Sequence, residues 1–268
     1  MNTKSDYIEI TNKQTKVSNR LVKHLTDFYI LGRIQWGIIR DTWHLIVFMA
    51  SMFPLTSLFF LKVFNQETTL EVITRIIVGN IVFAIILMGL TSVAQDISHE
   101  KNQGHFTYYA SLPISKITFI LSVLVKGILS AIPSIIILAI VGQLMYDVTL
   151  QFHINIIPIM LFGILSCVGI GVLIGFWSPT PQVAAILGQV AMMFITFMSP
   201  VMVEMESLPI FIQYISYVLP TTYLTDALRY LFQGVWNVQV TQDLVVLVVF
   251  SFISFLLIIK FIQWREKN

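Results

Sequence analysis

The sequence predicts an all-α membrane protein: six transmembrane helices, an amphipathic interfacial helix at the N-terminal side, and a short re-entrant helical pair before the last span. Composition, the lengths of the uncharged runs and the uneven placement of lysine and arginine carry that prediction. Of 268 residues, 56% are hydrophobic and 11% charged, with a mean hydropathy of +0.82. Soluble globular chains are about 45–50% apolar and about 25% charged, so this chain has too few charges to solvate a globule of its size, and lipid must replace part of the water. Intrinsic disorder is excluded because it requires low hydrophobicity. A lone Cys167 excludes an internal disulfide framework. A net charge of +2 gives no electrostatic footprint for nucleic acid.

A helix needs about 20 apolar residues to cross roughly 30 Å of hydrocarbon. Uncharged stretches of that length place spans at 42–63, 76–95, 117–146, 154–177, 182–203 and 244–262. The first ends near Lys62 and the second lies between Arg75 and Asp96. No Asp, Glu, Lys or Arg occurs between Asp147 and Glu204, a stretch too long for one helix. It divides at Ser178-Pro179-Thr180-Pro181, because proline lacks a backbone donor and biases its predecessor away from helix.

Basic residues are retained on the cytoplasmic side of a membrane. Seven precede the first span: Lys4, Lys13, Lys16, Arg20, Lys23, Arg33 and Arg40. With six spans, Lys101, Lys116, Lys126, Lys260, Arg265 and Lys267 fall at or near the same side, and only Lys62, Arg75 and Arg229 fall opposite. Thirteen against three predicts both termini in the cytoplasm. The first 40 residues hold no long apolar core of the signal-peptide kind. Residues 1–16 are polar and predict a disordered tail. Over 17–41, Leu21, Leu25, Phe28, Leu31, Gln35 and Ile39 fall near one helical stripe, with Lys23, Asp27 and Arg33 elsewhere. That pattern predicts an amphipathic helix, lying either on the inner leaflet or on the protein's own cytosolic face.

Several kinds of chemistry are missing. No glycine is followed by lysine, so the phosphate-cradling G-x-x-x-x-G-K-[ST] loop is absent and no nucleotide site or catalytic residue is predicted. Spans four and five hold no Asp, Glu, Lys, Arg or His, which disfavours proton or sodium coupling. The five histidines form no H-x-x-x-H pair, and no metal or cofactor site is predicted on this chain. Lys126, within the third span, either snorkels back to the interface or binds an anionic headgroup. In span four, Gly171 and Gly175 form a small-x-x-x-small pair suited to close helix approach.

Two segments carry the functional signal. Residues 96–116 join spans two and three in a loop that is amphipathic, with Phe106, Tyr109 and Pro113 near one stripe. An exposed aromatic stripe marks a partner unless it packs back onto the membrane helices. Residues 204–235 are apolar yet interrupted by Glu204, Glu206, Pro209 and Pro220, which predicts short helices dipping into the outer leaflet. Asp226 and Arg229, three apart, can pair on one helical face, as a structural bridge or in contact with cargo. Glu204 and Glu206 read as solvated acids at headgroup level or as ligands.

Glu100-x-x-x-Gly104 followed by Pro113-Ile114-Ser115 resembles the cytosolic loop of ABC-2 type permeases, with His105 and Thr107 as departures. Pro220, Tyr223, Asp226 and Arg229 similarly fit the P-x-T-Y-x-x-D-A-L-R stretch of that family's drug-exporter branch. The resemblance implies that Glu100, Gly104, His105, Phe106, Tyr109 and Pro113 form a coupling segment docked on a separate ATPase subunit, which would bind ATP and magnesium. It implies a gating role for Pro220, Tyr223, Asp226 and Arg229, and a dimer of permeases above two ATPases in a bacterial plasma membrane. The cargo implied is hydrophobic or amphiphilic, such as a drug, lipid or peptide. Phe194, Phe197, Trp177 and Tyr146 also suit a rival cargo, a lipid-linked polysaccharide, and an ATPase-free scaffold is the reading from another class.

Overall fold

The computed structural model describes residues 3–64, 69–106 and 115–261. Residues Thr3–Phe64 form one helix, α1, whose Ile46–Phe64 part coincides with the first span expected at 42–63. Polar composition limits burial but does not break a helix, and no glycine or proline occurs before Gly32. Leu31, Gln35 and Ile39 of the predicted stripe are buried, whereas Tyr29, Ile30, Ile34 and Trp36 are exposed. Protein thus covers the Leu31, Gln35 and Ile39 positions of the stripe.

α2 (Leu70–Ile86) passes through a π-helical stretch, Leu87–Ser92, into α3 (Val93–Asn102). The result is a 33-residue element that extends past the predicted 76–95 at both ends. Arg75 and Asp96 end the apolar run without ending the helix, since both side chains are compatible with helical backbone. α4 (Lys116–Tyr146) starts at Ser115, whose hydroxyl accepts from the Thr118 amide at 3.1 Å. It stops at Asp147 in a left-handed conformation, φ 54°. α5 (Ile156–Trp177) and α6 (Pro181–Met198) are divided where the prolines predicted, and Thr180 caps α6 by accepting from the Val183 amide at 3.3 Å. α6 ends five residues before the predicted 203, because Pro200 moves Ser199 to extended backbone, ψ 150°.

A 3-10 turn (Met205–Ser207) leads to α7 (Ile210–Ser216) and α8 (Pro220–Phe232), the pair of short helices expected over 204–235. The last helix, α9 (Val238–Phe261), begins six residues ahead of the predicted span, with Asn237 Oδ1 accepting from the Val240 amide at 2.9 Å. Six helices among the described residues are long and apolar enough to cross a membrane: Ile46–Phe64 within α1, Leu70–Asn102, α4, α5, α6 and α9.

α2 is the hub, buried along almost its whole length against α1, α4 and α8. α5 forms the second layer against α3, α8 and α9. Apolar helices gain little from leaving lipid for one another, so close packing and interhelical hydrogen bonds hold them. The predicted small-residue pair does this work. A Cβ at Gly171 would lie 2.5 Å from the Gly89 carbonyl oxygen, and one at Gly175 would lie 2.7 Å from that of Ala94. Between α5 and α9, Ser166 and Ser251 hydroxyls meet at 3.1 Å, and Ser251 donates to the Phe162 carbonyl at 2.9 Å.

Candidate functional site

At the α3 end of the bundle, Lys126 of α4 lies 3.1 Å from an Asp96 oxygen and 3.5 Å from Glu100. Its side chain is 12% exposed and that of Glu100 is 13% exposed. Lys126 is thus paired within the protein, by two carboxylates of α3. It stands about 15 Å along α4 from Lys116 at 1.5 Å per residue, and the α3 carboxylates are within reach. Glu100, expected in the coupling segment, faces Lys126. Lys101 donates to the Phe176 and Ser178 carbonyls at 2.9 and 3.2 Å, satisfying acceptors that the end of α5 leaves open. Gly104 makes the turn after α3 with φ +76°, a conformation that suits glycine. His105 is exposed beside it. The Phe106 ring packs edge-on against Phe119 and Phe176, with centroids 5.2 and 5.1 Å away, as the alternative of packing back onto the membrane helices has it for this one residue. Tyr109 and Pro113 lie outside the described residues. Among the described residues of this loop, the polar tip 101–105 is exposed.

An open-sided cavity of about 1080 Å³ lies between α1, α2 and α6. Phe53, Phe64, Phe83 and Phe197 line it together with Met192, Met193 and Met202. Arg75 is the one charged side chain among its lining residues. The flexible thioethers give this wall an adaptable surface. A volume at the upper end of ligand-pocket sizes, about 300–1,000 Å³, suits a bulky apolar guest.

Beyond Arg75 a smaller cavity of about 370 Å³ is lined by Glu71, Arg75, Glu204, Glu206, Asp226 and Arg229, among others. Arg75 is ion-paired with Glu204 and lies 3.9 Å from Glu71. Arg229 lies 3.6 Å from Asp226, the pairing that their spacing predicts, and donates to the Pro200 and Val203 carbonyls at 2.6 and 3.1 Å. Pro220 occupies the first turn of α8, where its missing N–H is no loss. Tyr223 donates to the Tyr217 carbonyl at 2.8 Å. Thr221 and Thr222 hydroxyls meet that of Ser199 at 3.0 and 3.1 Å. Asp226, Arg229 and Tyr223 thus brace the short helices. Arg75 and Glu204, 129 residues apart, carried no local sequence signal for their pairing. Asp243, one residue ahead of the span expected at 244–262, is buried inside α9 and accepts from Gln239 at 3.1 Å.

Burial pushes the Asp226 carboxyl up from 3.8 to about 6; Glu206 adds to the rise and Arg229 opposes it. A folded-state value above the unfolded one means that protonation favours the fold. This contribution is complete below the ordinary carboxylate range and is lost as pH rises through about 6. The thermal midpoint of the purified protein should therefore carry a declining component between pH 4 and 6. In Asp226→Asn that component should vanish, and an unchanged slope in the variant would refute the assignment.

An all-α bundle with six helices long and apolar enough to cross a membrane defines the class of multi-pass membrane proteins. Residues 53–260 match the sequence model described as ABC-2 family transporter protein. The chain belongs to that family, whose members are the membrane subunits of ABC transporters and work with an ABC ATPase. No curated protein matches the chain at a significant level.

Proposed function

We propose that this chain is the permease subunit of an ATP-driven exporter that moves a hydrophobic or amphiphilic substrate along the cavity between α1, α2 and α6. The observation that carries the reading is the cavity itself: about 1080 Å³, walled by phenylalanine and methionine, with a single charged residue at one rim. A second permease copy would close its open side. Three of the six spans line it. ATP and magnesium would be held by a separate cytosolic subunit, docked at the exposed tip 101–105, with both termini on the same side in a bacterial plasma membrane. Closure of that subunit would push on the tip. The load would pass through Lys101 to the end of α5, through Lys126 to α4, and along α3 and the π-helical stretch to α2.

The test is to place a photo-crosslinking amino acid at His105, irradiate native membranes, and purify the tagged permease in mild detergent. An ATP-hydrolysing chain should be captured at 105 and not at a control position such as Phe252, exposed on α9. ATP hydrolysis by the purified complex should rise with amphiphilic substrate and fall in Glu100→Ala. Recovery of intact permease with no ATPase in several detergents would remove the coupling reading and leave the scaffold.

A further inference from the structure

The segment that follows α6, residues 199–206, roofs the cavity rather than passing beside it. Met202 and Val203 line the apolar cavity directly. The Val201 carbonyl sits on α2 at Gly79, where a Cβ would come within 2.5 Å of that oxygen and 3.0 Å of Met202 Sδ. The segment has little regular structure of its own, so its position rests on what grips it. Arg75 of α2 holds Glu204, and Arg229 of α8 holds the Pro200 and Val203 carbonyls. Ser199 is tied to Thr221 and Thr222 at its start.

These attachments differ in how easily they release. The contacts around Ser199 and Val201 are buried. Glu204 is 48% exposed, and an ion pair with one partner half in water contributes little net stability. Arg75 is also the residue shared by the apolar and the polar cavity. The weakest attachment therefore stands where the two cavities meet.

We propose that residues 199–206 form a strap that gates the passage between the two cavities, with Arg75–Glu204 as its releasable latch and Arg229 as its fixed anchor. The proposal rests on the reading of the apolar cavity as the substrate path. Arg75 is a positioning residue: it holds Met202 and Val203 over the cavity and need not touch the substrate. Charge reversal at Arg75 sets it against Glu204 and Glu71 and frees the Glu204 end of the strap.

The test uses the permease with its ATPase subunit in lipid nanodiscs and follows the reaction of Met192→Cys with a charged, water-soluble maleimide. Met192 is buried on α6 and lines the cavity, and the native Cys167 is buried and supplies little background. Labelling in the resting state should be slow. Arg75→Glu or Glu204→Gln in this background should raise it about two- to fivefold, the population change expected from releasing a partly exposed pair. The exchange Arg75→Glu with Glu204→Arg should restore the slow rate, which a merely misfolded variant would not do. Nucleotide-dependent labelling that is indifferent to the charge at 75 and 204 would overturn the strap alone. Labelling that ignores nucleotide trapping in every variant would overturn the cavity as the path, and the strap with it.

Discussion

Lys126→Met is expected to cost about 3 kcal/mol of stability and to disconnect the tip 101–105 from α4. The substitution keeps an unbranched apolar stem and removes the ammonium group, leaving Glu100, 13% exposed, without a cation. Removing one partner of a buried ion pair typically costs about 3–5 kcal/mol, because the remaining charge stays desolvated. The lower end applies here, since Asp96 at 47% exposed keeps water as an alternative. Lys126→Met with Glu100→Gln should recover most of the loss, as the one charge then left without its cation is that of Asp96, 47% exposed and open to water. Lys126→Arg should fall between parent and single variant. Thermal unfolding in detergent reads the stability, and substrate-stimulated ATP hydrolysis in the complex reads the disconnection. A Lys126→Met protein as stable as its parent would mean that both carboxylates are solvated and that the triad transmits nothing.

The triad also shows where sequence reading stopped. The spans were legible because an apolar run of about 20 residues has few alternatives to a membrane helix, and α4 and α5 start within two residues of their predicted positions. Element ends were less legible where a charge closed the apolar run, as at Arg75, Asp96 and Asp243, since a charge bounds hydrophobicity and not helix. Local pairings followed from spacing, as Asp226 with Arg229 did. Pairings across the bundle did not. Lys126 looked like a lone cation because its partners lie 26 and 30 residues earlier on another helix, and Arg75 with Glu204 was hidden in the same way. Phe106 shows the same limit. Its stripe was visible in sequence, but whether a partner or Phe119 and Phe176 cover it is decided by tertiary packing.

Gly171→Ala should be more damaging than the size of a methyl group suggests. Its Cβ would stand 2.5 and 2.6 Å from the carbonyl oxygens of Gly89 and Leu90, where ordinary contacts begin near 3.4 Å. Both obstacles are backbone, so no rotamer change clears them and α5 must move off the π-helical stretch Leu87–Ser92. Overpacking of a close-packed site costs about 1–3 kcal/mol, occasionally more, and rigid neighbours place this site at the upper end. The contrasting substitution is Gly37→Ala, at a helical glycine in α1 with open space around its would-be Cβ. There alanine should be neutral or add up to about 1 kcal/mol, the helix-propensity difference. Size-exclusion profiles after stepwise heating should separate the two variants, with Gly171→Ala falling below the parent and Gly37→Ala at or above it. The effect should reach function as well. π-helical turns are uncommon and frequent at functional sites, and this one links the hub helix α2 to the α3 carboxylates that hold Lys126. A wedge at Gly171 would therefore loosen the joint between tip and cavity even where the protein still folds, lowering substrate-stimulated ATP hydrolysis more than basal hydrolysis. Equal thermal behaviour of the two alanine variants would mean that α5 and the π-helical stretch have room between them, and the joint would lose its physical basis.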